Sequence, residues 1–505
     1  MSPDFDFTWV AALTAEIGLV ILLVVVLIYD RFLQPENRRR VGLLTAWGAF
    51  IILLAVLGLY FFFDLPSSQT STAQSFMWGG MIRFDLIAFV FEVMFLSALI
   101  ITSLVAMDVP RLQRSEFYAL LITATIGFTL MAAATDLIMI YVALETASIS
   151  SYVLAGFLTG SKRSSEAGMK YFIYGAFATG VMLYGMSLLY GLTGQTNIYV
   201  IGERFSGTAL GANPSANAVV LLAAAMTVVG FGFKIAAVPF HFWTPDVYQG
   251  SPTPFTAFVS TASKAAGFAV FLRVFTSGAF GDISRFSPTT APGWWAMLVA
   301  MSIITMMLGN FVAIFQTNIK RMLAYSSIAQ AGYILIGLVA LSPDGSGAAM
   351  FYLLIYIFTN IAAFGVIILV SNKTGSDEIK DLYGLNRRSP VLALVMMFAV
   401  LSLAGIPPTA GFFGKFFLFR AAIEAGLWWL ALIGILVAFV ALYYYFGIIK
   451  YMYLYRSDEE EIPIPVSRAA KIGLGVSALL VIYFGIFAGP AFDLTREAAT
   501  AFFAG

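Results

Sequence analysis

Four lysines and one glutamate stand inside stretches that are otherwise apolar. Lys234 closes GFGFKI, Lys264 lies in STASKAAGF, Lys415 in GFFGKFFLFR, Lys170 in EAGMKYFIYG and Glu145 in LIMIYVALETASISSYVLAG. A charge at the centre of a bilayer costs at least ~2.5–3.5 kcal/mol, so five would cost on the order of 10 kcal/mol unless they pair or line water. The chemistry open to such groups is proton transfer. A lysine in apolar surroundings releases its proton more readily, by as much as ~3–5 pKa units, and a facing carboxylate restores the charged form. At ~4 Å and an effective dielectric of ~20 that attraction is ~4 kcal/mol, and at ~8 Å half as much. A few ångströms of movement then shift the balance by ~1.5 pKa units, enough to load and unload a carrier. On this reading Lys234 is the central carrier, Lys264 a relay toward Lys415 at the outlet, and Glu145 the modulating partner. Lys170 tunes Glu145 or feeds proton uptake, unless it only snorkels its ammonium to the interface.

The stretch GFGFKIAAVPFHFWTPDVYQG adds a helix breaker, Pro239, and the only histidine, His241, just after Lys234. His241 either hands protons between Lys234 and Lys264 or caps the broken helix. Asp246 is expected to tie down a cytoplasmic turn. Pro407 and Pro408 do to the stretch carrying Lys415 what Pro239 does here, since proline lacks the backbone N–H. Backbone groups freed within a membrane are tolerated only where they line a cavity or water. Glu16, Asp85 and Glu92 are read as packing or subunit contacts, and SDEEEI (457–462) as a solvated loop.

Such residues need a scaffold of spanning helices, and the composition supplies one. Of 505 residues, 60% are hydrophobic and 11% charged, against about 25% charged in soluble domains; the mean hydropathy is +0.90. FTWVAALTAEIGLVILLVVVLIYDR has too long an apolar run, and no basic leader, for a signal peptide, and reads as the first span. The expected fold is an all-α polytopic membrane protein with about fourteen spans. They lie near 8–29, 41–62, 82–107, 116–134, 137–158, 168–192, 218–239, 253–276, 293–315, 322–341, 348–371, 391–424 (interrupted), 427–450 and 471–490. With both termini on the outer side, eighteen of the 28 lysines and arginines fall in cytoplasmic loops. Only Arg83, Arg204, Arg273, Arg285, Arg420 and Arg496 fall outside, a bias of the sign the positive-inside rule requires. The absence of cysteine excludes disulfides and thiolate-held clusters, and one histidine cannot build a polyhistidine metal site. No metal or cofactor is expected in this chain, and a net charge of +1 gives no footing for nucleic acid.

Two interrupted helices, each with a lysine, lie five spans apart. They point to a repeat with spans four to eight (116–276) and nine to thirteen (293–450) as its halves. Five is odd, so the halves would be inverted. Residues 1–115 form a three-helix segment before them, and 451–505 a loop and the last span.

KIAAVPFHFWTPDVYQGSPTPFTAFVSTASKAAGF, FQTNIKRMLAYSSIAQAGYILIG, LSLAGIPPTAGFFGKF and ETASISSYVLAGF together resemble the antiporter-like membrane subunits of respiratory complex I. More narrowly, the chain is similar to the N-type branch and its photosynthetic B-type counterpart, over about residues 116 to 455. The resemblance implies that Glu145, Lys170, Lys234, Lys264 and Lys415 are the family's proton-translocating residues on the fifth, sixth, seventh, eighth and twelfth helices. A lysine at 415, in place of glutamate, favours the N-type over the M-type, and no long lateral helix marks an L-type. It also implies partner subunits of M-, L-, K-, A-, J- and H-type, a bacterial inner or equivalent energy-transducing membrane, and quinone, FMN and iron–sulfur clusters held elsewhere in the complex.

A cation/proton antiporter or membrane-bound hydrogenase subunit uses the same module, and a structural spacer is a reading of another class. Buried lysines argue against the spacer, which could use leucine. The loop assignment is checked by labelling intact cells at Arg38, Arg39 and Arg40: no reaction is expected from the periplasmic face, and reaction there would invert the topology.

Overall fold

The computed structural model describes residues 7–66, 75–206, 214–280, 293–456 and 463–504. SDEEEI (457–462) and Arg285 lie outside them. The described chain is helical apart from one short hairpin, β1 (Phe76–Met77) with β2 (Ile82–Arg83). Six helices come first: α1 (Thr14–Arg31), α2 (Arg39–Phe63), α3 (Leu86–Ala106), α4 (Ser115–Ala133), α5 (Leu137–Ala155) and α6 (Lys162–Thr193). The next apolar segment is broken into α7 (Pro214–Ile235) and α8 (Trp243–Gly250). A continuous helix α9 (Thr253–Ser277) follows, then α10 (Trp294–Ala313), α11 (Ile319–Val339) and α12 (Pro343–Thr374). A second broken pair, α13 (Pro390–Ala404) and α14 (Ala410–Glu424), precedes α15 (Trp428–Leu454), α16 (Arg468–Ile486) and α17 (Gly489–Ala504).

Twelve of the described helices are long and apolar enough to cross a membrane. The two further expected spans are α1, which carries Glu16, Asp30 and Arg31 in its eighteen residues, and the α13–α14 pair, each half of fifteen. The first span, expected from residue 8, is divided: a short turn of helix closes at Ala11 and α1 starts at Thr14. The amphipathic α17 was not anticipated, because its Asp493, Arg496 and Glu497 break the hydropathy signal. Helix ends follow local chemistry. Ser161 accepts from Ser164 N–H to start α6 and Ser342 from Gly345 N–H to start α12, while Gly194 and Gly375 close both in the left-handed conformation. Both of these helices are 32 residues long. Helix α9 is wholly buried, with α11 and α12 nearly so beside it, whereas α2, α15 and α16 turn most of their surface outward.

Contacts recur down the chain, at a spacing of 181 or 182 residues in the leading helices and 169 at the breaks. A Cβ added at Gly127 on α4 would meet Ala147 N at 2.6 Å and Ala143 O at 2.8 Å; one at Gly309 on α10 would meet Ala329 N at 2.5 Å and Tyr325 O at 2.8 Å, each residue 182 positions later. At the start of α5, Leu137 N–H donates to Thr196 O and Ile198 N–H to Thr135 O. At the start of α11, Ile319 N–H donates to Asp377 O and Ile379 N–H to Thr317 O. The breaks match too. Ala237 N–H donates to Gly232 O and Phe240 N–H to Ala237 O; 169 positions on, Ile406 N–H donates to Leu401 O and Thr409 N–H to Ile406 O.

Without a hydrophobic force between helices in lipid, small residues at the contact let backbones approach. Gly127→Val and Gly309→Val should each overpack a helix pair and cost ~1–3 kcal/mol. The measurement is the thermal midpoint of the purified protein, and an unchanged midpoint in both would show that these contacts do not set the packing.

Candidate functional site

Prolines 407 and 408 leave two carbonyls without partners. In an α-helix the N–H of residue i bonds the carbonyl of i−4, so the groups orphaned by Pro407 and Pro408 are Leu403 O and Ala404 O. Lys415 Nζ takes both, at 2.9 and 3.1 Å. Its side chain folds back from α14 across Gly405, where φ is +83° and an added Cβ would lie 3.0 Å from Lys415 Cδ. The ammonium thus sits at the negative end of α13, with the Tyr333 ring centre 4.7 Å away.

Lys234 lies in the last turn of α7 and is buried. Its Nζ donates to Ser148 Oγ on α5 at 3.1 Å and stands 5.6 Å from the ring centre of Phe128 on α4. Gly267 on α9 makes room for its stem: a Cβ there would lie 3.2 Å from Lys234 Cγ. The break that follows is closed by side chains. Val238 N–H donates to Thr305 Oγ1 at 3.0 Å, and Trp243 Nε1 donates to Phe233 O at 3.0 Å. His241 is buried within the break, bonded to neither Lys234 nor Lys264, and its Nδ1 has no hydrogen-bond partner.

Lys264 follows Val259–Ser263, where α9 widens into a π-helical turn, a distortion frequent at functional sites. Its Nζ donates to Ser327 O and, at 2.7 Å, to Ser327 Oγ on α11. The Ser327 hydroxyl also bonds Tyr248 OH at 3.2 Å, which ties α8 to the same point. Next to it Asn360 Nδ2 donates to Ser260 Oγ at 2.8 Å and to Tyr356 OH at 3.0 Å. The Tyr356 ring centre stands 6.0 Å from Lys264 Nζ, so the three lysines share one design: neutral oxygens accept from each ammonium, and an aromatic ring faces it.

That differs from the expected carboxylate pairing. Among the described residues no carboxylate lies in ion-pair range of Lys234, Lys264 or Lys415. Glu145, one turn before Ser148, is half-buried on a face of α5 where Val142 and Ile149 are exposed. Its Oε1 is shielded and has no hydrogen-bond partner, and its charge reaches Lys234 only through space.

Lys170 stands apart. Its side chain is 36% exposed, in the third turn of α6, and it pairs with Glu166 at 2.7 Å and Asp246 at 2.5 Å. Asp246 also binds Arg321 Nη1 at 2.6 Å. It sits in helix α8 and not in a turn, because Pro245 is accommodated in that helix's first turn. Burial pushes the Asp246 carboxyl up, but hydrogen bonds and charge from Lys170 and Arg321 outweigh it and hold it below its ordinary value. Arg273, expected in an outer loop, ends α9 fully buried and grips Asp85 through both Nη atoms at 2.9 and 2.6 Å. Nor are Lys234 and Lys415 at matching places, since one precedes its break and the other follows it. The 169-residue spacing carries Lys234 to Leu403 and Asp246 to Lys415. Ser148, Ser327, Thr305 and Tyr333 escaped the sequence reading, although YSSIAQAGY places polar groups at helical spacing in an apolar run. Among the described residues no cluster of three metal-ligating side chains occurs.

Residues 134–441 match the model of the family described as NADH:quinone oxidoreductase/Mrp antiporter, transmembrane. NADH-quinone oxidoreductase subunit N of Moorella thermoacetica is 44% identical over 416 residues, covering 82% of this chain and 84% of that protein. The subunit N of an Anaeromyxobacter species is 41% identical over 491 residues, 94% and 92% of the two chains. A chain of respiratory complex I from Thermus thermophilus with bound aureothin superposes with a TM-score of 0.75 at 32% identity, covering 95% and 98%. A chain of the Mrp complex from Dietzia shares the fold, with a TM-score of 0.81 at 20% identity over 99% and 98%.

Thr305→Val keeps the shape of the side chain and deletes the acceptor of Val238 N–H. A buried donor left alone costs ~1–3 kcal/mol. The variant should lower the thermal midpoint more than Thr305→Ser, which keeps the hydroxyl. Equal midpoints for the two would show that this bond does not hold the break.

Proposed function

Because the chain belongs to the transmembrane family of NADH:quinone oxidoreductase and Mrp antiporter subunits, we propose that it moves protons through a relay of buried lysines. It is an antiporter-like subunit of the membrane arm of a complex I-type translocase, as its subunit N relatives are. Quinone reduction, from NAD(P)H or ferredoxin, takes place on other subunits, which hold the FMN and iron–sulfur clusters. Its neighbours in the arm are the M-, L-, K-, A-, J- and H-type subunits, in a bacterial inner membrane with both termini outside. Fourteen spans and two inverted halves of five helices fit the matching contacts 182 and 169 residues apart.

The observation that carries this reading is the set of three buried ammoniums on neutral acceptors. Each can lose its proton without stranding a carboxylate, and the neutral amine that remains can still donate to the same oxygens. The order of transfer is Lys234, then Lys264, then Lys415. The Lys234 stem packs against Gly267 of the helix that bears Lys264. Lys264 and Lys415 both reach groups held by α11. Glu145, on the outward face, supplies the field that biases Lys234. Lys170, paired with Asp246 and Glu166, acts on the uptake side or only ties α6 to α8. The Mrp complex shares the fold alone, whereas the relatives at 41–44% identity are NADH-quinone oxidoreductase subunits N, which favours the complex I reading over an antiporter.

Lys234→Ala, Lys415→Ala and Glu145→Ala should each assemble and slow coupled turnover by roughly tenfold or more, a ~1.4 kcal/mol rise in the transfer barrier. Lys234→Arg should be as poor, since arginine keeps its proton. Proton uptake per electron is measured in proteoliposomes holding the complete complex. Wild-type stoichiometry from Lys234→Ala would remove that lysine from the path.

A further inference from the structure

Gln330 on α11 is buried, and its amide is fixed from three sides. Oε1 accepts from Tyr352 OH at 2.5 Å; Nε2 donates to Tyr445 OH at 3.2 Å and to Leu403 O at 3.1 Å. Leu403 O is the same carbonyl that accepts from Lys415 Nζ at 2.9 Å. A carbonyl has two lone pairs, and here a neutral amide holds one and the ammonium the other.

The spacing of the two halves singles out the same position. Advancing by 182 carries Ser148 to Gln330, and advancing by 169 carries Lys234 to Leu403. The contact Lys234–Ser148 of the first half is thus the contact Leu403–Gln330 of the second. In the first half this contact holds the ammonium directly. In the second, the charge sits on α14 and reaches the same place through the shared carbonyl.

Resting on the reading of Lys415 as a proton carrier, we propose that Gln330 is the positioning residue for proton release there: it anchors the Leu403 carbonyl at the break and halves that carbonyl's capacity for the ammonium. Tyr352 and Tyr445 hold the amide in the orientation that donates. A fully available carbonyl would bind the ammonium more tightly and delay release. The titratable groups around this point are Tyr333 from α11, Tyr352 and Tyr356 from α12, and Tyr444 and Tyr445 from α15. α13 brings no titratable side chain, α16 brings only the half-exposed Tyr483 at this level, and among the described residues no charged group other than Lys415 itself stands in ion-pair range.

The test is the pH profile of proton pumping by the complete complex in proteoliposomes, with quinone reduction followed in parallel. Gln330→Met removes the competing donor, and the profile should move to higher pH by about half to one unit, the worth of one neutral hydrogen bond. Gln330→Glu, nearly isosteric, should move it further the same way. Tyr352→Phe frees the amide to rotate and should give a smaller shift of the same sign, which keeps the test open if the Gln330 variants do not assemble. Loss of rate at an unchanged profile in Gln330→Met and Tyr352→Phe would overturn the proposal and leave a packing role. Lys415→Met separates the two readings: normal pumping from it would sink the carrier role of Lys415, whereas lost pumping from it beside unshifted Gln330 variants sinks only the inference.

Discussion

Inside an apolar bundle no backbone group can be left unpaired at small cost, and two helices of this protein are broken where water is scarce. Each unpaired group costs several kcal/mol in hydrocarbon. The bundle around the breaks is arranged to meet that demand. Thr305 and Trp243 serve the first break, reaching Val238 N–H and Phe233 O. Lys415 and Gln330 serve the second, reaching the two carbonyls that Pro407 and Pro408 cannot serve. The Lys415 ammonium is therefore also the donor that completes a helix end.

This dual role limits how tightly the ammonium is held. Hydrogen bonds involving a charged partner are roughly twice as strong as neutral ones, and a full ion pair adds Coulomb attraction that a low dielectric magnifies. Three buried lysines next to carboxylates would be locked in the charged state. Placed on serine hydroxyls, carbonyls and ring faces, they are free of that lock. The arginines give the contrast. Arg273 is fully buried and held to Asp85 by two hydrogen bonds, and Arg83 lies 3.4 Å from the same carboxylate. Those are clamps, fit to fix the end of α9 against β2 and α3, and a permanent cation suits them.

Much of the scaffold was legible in the sequence, because spans announce themselves by hydropathy. The stretch expected at 116–134 folds as Ser115–Ala133, and that expected at 253–276 as Thr253–Ser277. Both broken helices were visible as proline next to a lone lysine. What could not be read was which atoms face those lysines. Ser148 lies 86 residues from Lys234 and Ser327 63 from Lys264, and no local pattern encodes such meetings. The carboxylate expected to face Lys234 lies half-buried and out of ion-pair range, since helical spacing from Ser148 places Glu145 near the rim of the inward face of α5. For Lys170 the difference is one of helix length: α6 begins at Lys162, capped by Ser161, six residues before the span expected at 168–192, so the residue stands in the third turn and among charged neighbours.

The two halves repeat their packing but not their charges. At the first break the lysine ends the leading helix, and at the second it begins the trailing one. Leu403 stands where Lys234 would, and Asp246 where Lys415 would. Duplicating the lysines as well as the helices would put two ammoniums around each break, and like charges a few ångströms apart in a low dielectric repel by several kcal/mol. One charge per break avoids that repulsion, and the first break is closed without its lysine, by Thr305 and Trp243. It also separates the two carriers along the chain of contacts, with Lys264 and the polar face of α11 between them. On the proposed route a proton would pass from Lys234 to Lys415 by way of Lys264, which reaches from α9 in the first half to Ser327 on α11 in the second.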